Sequence, residues 1–281
     1  MAGATDTARA TLPPGRVLIA DEAPTTRRLL AAVMRDFDPR MEVLEAADGR
    51  QALDLLTGKR PEIAFVNIQL SGMTGPEALA YAKAAHDVRP FTVLMSNAVL
   101  PKWVDVSVEL DAYEFLKKPF DIDHIANLLA VHRRMRQPSS LLLVDDSPTA
   151  RGLVKRVLSQ SRFTFEIEEI ESGPHALKLL RLTPFELALI DFNLGGMDGL
   201  EVVCQGRELA PDTKFLLMSG SDSTALPQAS RVFGLVGFLK KPFYGRDVDV
   251  VMHEAYGLRR PYLLNALIGP PVAARPAAHA R

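Results

Sequence analysis

The chain has 281 residues, 47% hydrophobic and 24% charged, with 33 Lys and Arg against 34 Asp and Glu for a formal net charge of −1. That length suits two domains of ordinary size. The even charge balance excludes the basic excess expected of a protein built to bind nucleic acid or an anionic membrane. The single cysteine, Cys204, excludes an internal disulfide and a thiol metal cluster and fits a reducing compartment. Within Gly199-Leu-Glu-Val-Val-Cys it reads as a core residue. Residues 1–15, rich in Ala, Thr and Pro, lack the apolar stretch of a secretory signal and are expected to be disordered. No window approaches the roughly 20 apolar residues that span a bilayer, so the expected location is cytoplasmic.

From Arg16 the chain alternates short apolar runs with helical patterns. The first half carries runs at Val17–Ala20, Met41–Glu45, Ile63–Val66, Phe91–Met95 and Tyr113–Leu116, with amphipathic stretches such as Thr25–Asp36 and Gly75–Ala85 between them. A last helix, from about Asp121 to Met135, ends in the basic run His132-Arg-Arg-Met-Arg136, where positive charge suits the helix dipole. Residues 137–140, Gln-Pro-Ser-Ser, form a short polar linker. The second half repeats the pattern with runs at Leu141–Val144, Phe165–Ile170, Leu187–Ile190, Lys214–Met218 and Gly237–Leu239. Residues 258–281, rich in Pro and Ala, are expected to be a disordered tail.

The two halves are copies of one unit. Arg16-Val-Leu-Ile-Ala-Asp21-Glu22-Ala-Pro-Thr-Thr-Arg matches Leu141-Leu-Leu-Val-Asp145-Asp146-Ser-Pro-Thr-Ala-Arg at an offset of 124 residues, which also sets Asn67 on Asp191. Phe115-Leu-Lys-Lys-Pro-Phe returns as Phe238-Leu-Lys-Lys-Pro-Phe at an offset of 123. A repeat of that length is a duplicated domain, since solenoid units run about 20–50 residues. Five βα units per copy, with strands apolar on both faces, predict an α/β fold: two tandem doubly wound parallel sheets.

In such sheets ligands bind beyond the carboxyl ends of the strands. In the second copy those ends carry Asp145, Asp146, Asp191, Ser219 and Lys241. Three carboxylates in one place repel and raise one another's pKa. A hard divalent cation relieves this, and all-oxygen ligation suits Mg²⁺. A metal, a lysine and a hydroxyl around one carboxylate suit charge on a phosphoryl group, with the carboxylate as nucleophile.

Taken together, Leu-Val-Asp145-Asp146-Ser, Leu-Ile-Asp191-Phe-Asn-Leu-Gly-Gly-Met-Asp-Gly, Leu-Leu-Met-Ser219-Gly and Phe238-Leu-Lys-Lys241-Pro-Phe resemble the receiver domain of two-component response regulators. The resemblance covers residues 16–136 and 141–257, and it implies the flavodoxin-like (βα)5 fold, as in chemotaxis regulators. It implies that Asp191 accepts a phosphoryl group, as 4-aspartylphosphate, from a histidine kinase or histidine phosphotransfer protein. It further implies that Asp146, Asp191 and the Asn193 carbonyl ligate Mg²⁺, with Asp145 acting through metal-bound water. Lys241 is expected to pair with the phosphoryl group. Ser219 and Phe238 match the switch pair that responds to it. The Pro usual in the metal loop is replaced by Gly195, which implies a looser loop.

The first copy keeps Asp21, Glu22, Ser96, Phe115 and Lys118 but has Asn67 at the acceptor position. An amide is a poor nucleophile. Its loop, Ile68-Gln-Leu-Ser-Gly-Met-Thr-Gly75, also departs from Met-Asp-Gly. This copy is therefore read as a degenerate receiver, not phosphorylated at this site, with Asp21 and Glu22 as a structural acidic pair or, as the alternative, a residual Mg²⁺ site. Blander readings stand beside these. Asp145 and Asp146 also suit N-capping of the helix near Pro148. Most of the scattered histidines read as surface residues, and Trp103 as either an interface anchor or a residue bordering the core.

The expected function is non-enzymatic: a phosphorelay response regulator whose output is contact with a downstream protein, since only a short tail follows the second copy. Pairing into a homodimer through the fourth helix, fifth strand and fifth helix stays open. A phosphorylation-independent receiver scaffold is the alternative. A phosphatase of the haloacid dehalogenase type fits poorly, because the first strand ends in Asp145-Asp146 where that chemistry uses Asp-x-Asp.

Overall fold

A computed structural model describes residues 15–98, 100–220, 233–261 and 263. Contacts group the residues up to Ala130, with those from Pro261 on, into one compact unit and Val131–Arg260 into a second. In the first unit the strands are β1 (Arg16–Ala20), β2 (Glu42–Ala46), β3 (Ile63–Asn67), β4 (Phe91–Ser96) and β5 (Glu114–Lys117). They form a parallel sheet in the order β2-β1-β3-β4-β5. Between them run α1 (Pro24–Phe37), α2 (Gly49–Lys59), α3 (Gly75–His86) and α4 (Pro101–Glu109), and α5 (Ile122–Arg136) follows, its residues from Val131 counting with the second unit.

The second unit has β6 (Ser139–Val144), β7 (Phe165–Ile170), β8 (Leu187–Asp191), β11 (Lys214–Ser219) and β12 (Gly237–Lys240) in the equivalent parallel order, β7-β6-β8-β11-β12. Its described helices are α6 (Pro148–Leu158), α7 (Gly173–Leu182), α8 (Gly199–Leu209) and α9 (Gly245–Ala255). Two two-residue strands, β9 (Asn193–Leu194) and β10 (Met197–Asp198), pair antiparallel after β8.

Sequence accounts for most of this. The central strands β3 and β8 are buried along their whole length, as a sheet covered on both faces requires. The edge strand β7 instead sets Glu166, Glu168 and Glu169 among its apolar residues, and charge on an edge blocks unwanted pairing. Prolines open α1, α3, α4, α6 and α7, where the missing N–H costs nothing. Thr74 and Glu77 form a reciprocal capping box on α3. Arg133, Arg134 and Arg136 occupy the last turn of α5, where the helix dipole favours them.

Several expectations change. Cys204 is exposed. The inward positions of α8 are Val202, Val203 and Gly206, and the next residue on from Val203 turns outward. His253 is buried, set edge-on to Phe163 at 5.4 Å. Trp103 packs partly buried against the first unit's apolar cluster, so it borders the core. β6 starts at Ser139, inside the stretch read as linker. Pro261 and Leu263 are buried, Leu263 in the first unit's apolar cluster. Residues 1–14 and the remainder of the expected tail, with His279, lie outside the described residues.

One glycine fixes the turn that carries the site. A Cβ on Gly199 would lie 2.3 Å from the backbone oxygen of Asp191. Gly75 stands in the same relation to Asn67, at 2.2 Å. Gly199→Ala is expected to destabilise the second unit by about 1–3 kcal/mol through overpacking. Gly152→Ala, at an exposed position of α6 where a Cβ meets nothing within 4 Å, is expected to stabilise by about 0.5–1 kcal/mol. Denaturant unfolding of the two variants checks this pair.

Candidate functional site

Strand register brings the singled-out residues of the second unit to one rim. Val144 pairs with Ile190 across β6 and β8, so Asp145 and Asp191 leave their strands side by side. Met218 pairs with Asp191 across β8 and β11, and Ser219 with Lys240 across β11 and β12. Lys241 follows directly. The peptide bonds Lys241–Pro242 and Lys118–Pro119 are both cis.

Lys241 bridges the two inner carboxylates. Its Nζ lies 2.9 Å from Asp145 Oδ2 and 2.8 Å from Asp191 Oδ1. Asp145 is 1% exposed and Asp191 8%. Burial raises the Asp191 pKa above the ordinary aspartate value, and Asp145 adds to the rise. The hydrogen bond and charge of Lys241 and the backbone N–H of Asn193 oppose it without cancelling it. Burial disfavours the Lys241 charge, but its bonds to Asp191 and Asp145 outweigh that and raise its pKa. The result is a cation held between two carboxylates, one of them incompletely compensated.

The outer carboxylate is tied differently. Asp146 is exposed, and its Oδ2 accepts the backbone N–H of Gly195 at 3.1 Å. Gly195 lies in the turn of the β9–β10 hairpin, beside Gly196 at φ +91°, a region L residues rarely adopt. A hairpin and an amide bond hold the loop in which Gly195 replaces the usual Pro. Ser147, not the acidic pair, caps α6 by accepting the Ala150 N–H at 3.3 Å. Asp145 Oδ1 instead accepts the Ser147 N–H at 3.0 Å.

Ser219 is fully buried at the end of β11, and Phe238 is half-buried on β12 against the second unit's apolar cluster. Asn193 is exposed. Asp145, Asp146, Asp191 and Asn193 together offer only oxygen donors, the chemistry a hard divalent cation takes. Among the described residues no three His, Cys, Asp or Glu side chains already form a ligand cluster. Lys241 sits between two of the carboxylates. The residues fit Mg²⁺ in donor type and in uncompensated charge, not as a preformed cage.

The first unit keeps the frame and loses the bridge. Lys118 Nζ pairs closely with Asp21 Oδ2. The Asn67 side-chain amide turns to the backbone oxygen of Gln69, donating at 2.6 Å. Glu22 is exposed, while Ser96 and Phe115 are buried. The loop departs less than expected, since Thr74 and Gly75 take the structural places of Asp198 and Gly199.

One shared support was overlooked in the sequence. Arg151 donates to the Asp145 backbone oxygen at 2.6 Å and to Glu169 at 3.3 Å. Arg27 does the same to the Asp21 backbone oxygen at 2.7 Å and to Glu45 at 3.2 Å. All three pairs keep the 124-residue offset, and that was the available signal.

The family described as "Response regulator receiver domain" matches residues 17–130 and 141–252. The nitrate/nitrite response regulator protein NarL of Escherichia coli (strain K12) is 28% identical over 120 residues, covering 43% of this chain and 56% of NarL. The response regulator receiver protein CpdR of Brucella abortus (strain 2308) is 32% identical over 108 residues, covering 38% of this chain and 88% of CpdR. The chain thus spans about half the length of NarL. A crystal structure named as a two-component system response regulator/GGDEF domain protein superposes with a TM-score of 0.57 at 22% identity, covering 86% of this chain and 98% of that one, which is a likeness of fold.

Because burial raises the Asp191 pKa, ionised Asp191 costs stability in the metal-free protein. That cost is absent at low pH and appears as pH rises through the raised value. Metal-free Asp191→Asn is expected to unfold at a higher temperature than wild type at pH 7. The gap should narrow as pH falls through the carboxylate range, as calorimetry across pH would show.

Proposed function

The chain belongs to the response regulator receiver family, with two copies of its domain in series, and from that premise we propose that the second copy alone is the phosphoacceptor, through Asp191. Receiver domains are in general non-enzymatic signalling modules of two-component systems. They interact with histidine kinases or phosphotransfer proteins and with downstream targets, and they bind Mg²⁺ at the phosphorylation site.

The observation that carries the assignment is the bridge of Lys241 between Asp145 and Asp191, set against Lys118, which meets Asp21 with an amide where the second carboxylate would stand. In the second unit an Asp191 oxygen attacks the phosphorus of a phosphohistidine donor. The P–N bond breaks and 4-aspartylphosphate forms. Burial keeps that carboxylate more basic than usual, which favours nucleophilic attack. Lys241 is placed to follow the negative charge from carboxylate to phosphoryl oxygens. Asp146, Asp191 and the Asn193 carbonyl would hold Mg²⁺, and Asp145 would act on it through water. Bound Mg²⁺ supplies charge compensation to the phosphoryl oxygens.

The Ser219 hydroxyl then hydrogen-bonds a phosphoryl oxygen and Phe238 swings inward. Leu217 pairs with Phe238 across β11 and β12, so the two switch residues lie on neighbouring strands. Phosphorylation acts by shifting a two-state equilibrium of this edge of the sheet. The first unit, with Asn67, serves as an unphosphorylated interaction or regulatory domain. Output is contact with a downstream protein, and a homodimer is one form that contact takes.

Incubation with acetyl phosphate and Mg²⁺ is expected to add one phosphoryl group, seen by mass or radiolabel. Asp191→Ala should abolish it, and Asn67→Ala should leave it intact. Label that survives Asp191→Ala defeats the assignment. Equal partner binding by wild type and Asp191→Asn, with and without phosphodonor, would favour the phosphorylation-independent scaffold.

A further inference from the structure

Every carboxylate at the rim of the second unit already has a donor from the chain itself. Asp145 and Asp191 share Lys241. Asp146, the outer one, takes the Gly195 N–H from a residue 49 positions away. That bond draws on a free backbone amide at residue 195. A Cβ at 195 would sit 3.2 Å from the same Asp146 oxygen, tighter than ordinary contact, and a proline would have no N–H to give.

Among the described residues the first unit shows no counterpart. Its equivalent of Gly195 is Ser71, whose backbone oxygen accepts from Gly49 at 3.2 Å and Met73 at 2.8 Å. Among the described residues, Glu22 makes no bond to Ser71. The amide tie to the outer carboxylate is therefore found in the copy that keeps the acceptor aspartate and not in the copy that lost it.

We propose that the Gly195 amide is a built-in stand-in for the cation at Asp146: Gly195 N–H and Mg²⁺ are alternative partners of that carboxylate, and binding one releases the other. This rests on the reading of Asp146 as a Mg²⁺ ligand. The physical ground is that both partners present positive charge to one carboxylate. An oxygen committed to an N–H offers less electron density to a cation, and a bound cation repels the positive end of the N–H dipole. Gly195 is two residues from Asn193, in the turn of a hairpin only two residues per strand. Loss of the tie therefore leaves the segment held at the site through Asn193, the other proposed oxygen ligand, in place of Gly195. Mg²⁺ occupancy is then read out as a change in the β9–β10 hairpin before any phosphoryl group arrives.

The test follows the Gly195 amide by ¹⁵N-resolved NMR in the full chain during a Mg²⁺ titration, with affinity measured in parallel by calorimetry. In the metal-free protein the Gly195 amide should shift on Asp146→Ala, which reports the bond. Saturating Mg²⁺ should move the resonance in the same direction and speed its exchange with water. Gly195→Pro, which removes the N–H, should bind Mg²⁺ more tightly by about fivefold, the scale of one net hydrogen bond. Gly195 does not take a positive φ, so proline meets no left-handed backbone there. Gly195→Ala keeps the N–H but sets a Cβ against the same Asp146 oxygen, and should tighten binding less than Gly195→Pro. An amide unchanged at saturating Mg²⁺ overturns the inference, as does equal or weaker binding by Gly195→Pro. Equal tightening by Gly195→Ala also overturns it, because loop stiffness would then be the cause. Failure of wild type and both variants to bind Mg²⁺ at all is a different result: it overturns the reading of Asp146 as a ligand, and the inference with it.

Discussion

Lys241 holds two nearly buried carboxylates that would otherwise repel each other at the end of the second sheet. With Nζ less than 3 Å from both Asp145 and Asp191, it makes their proximity tolerable without making it comfortable. Burial still lifts the Asp191 pKa. Buried charge of this kind is costly unless paired and hydrogen-bonded. Much of the surrounding architecture serves the pairing: strand register sets the two aspartates side by side, and Gly199 lets α8 start against the Asp191 carbonyl. Arg151 pins the Asp145 backbone from behind.

The duplicated chain separates what supports the fold from what supports the chemistry. Arg27 and Arg151 make matching bonds in both units, and Gly75 and Gly199 make the same close approach. These features persist where the acceptor is gone, so they belong to the frame. The Lys bridge and the Gly195–Asp146 tie occur in the unit with Asp191. In the first unit Asn67 has no charge to offer Lys118, and its amide satisfies itself on the neighbouring carbonyl. A polar group that cannot join the network must find a partner nearby, because leaving it bare when buried is unfavourable.

Periodicity made the strands, the helices and their order legible, because continuous apolar runs and 3.6-residue patterns follow directly from two-sided burial. The rim residues were legible for a similar reason: each follows a strand end, and parallel topology delivers strand ends to one edge. The outward turn of Cys204 and the burial of His253 were not. They depend on which face of a helix meets the sheet, and one residue of rotation decides it. The β9–β10 hairpin was missed although Gly195-Gly196 is a two-residue turn signal, since its strands are too short to show alternation.

The sequence by itself determined the duplication, the alternation of strands and helices, the candidate acceptor and the asymmetry between Asp191 and Asn67, because these are carried by residue identity and spacing. Only the tertiary structure decided which donor serves each carboxylate. Lys241 reaches Asp145 across 96 residues and Asp191 across 50, and Gly195 reaches Asp146 across 49. Such pairings are set by distances between loops, and those distances exist only once the sheet has brought the strand ends together.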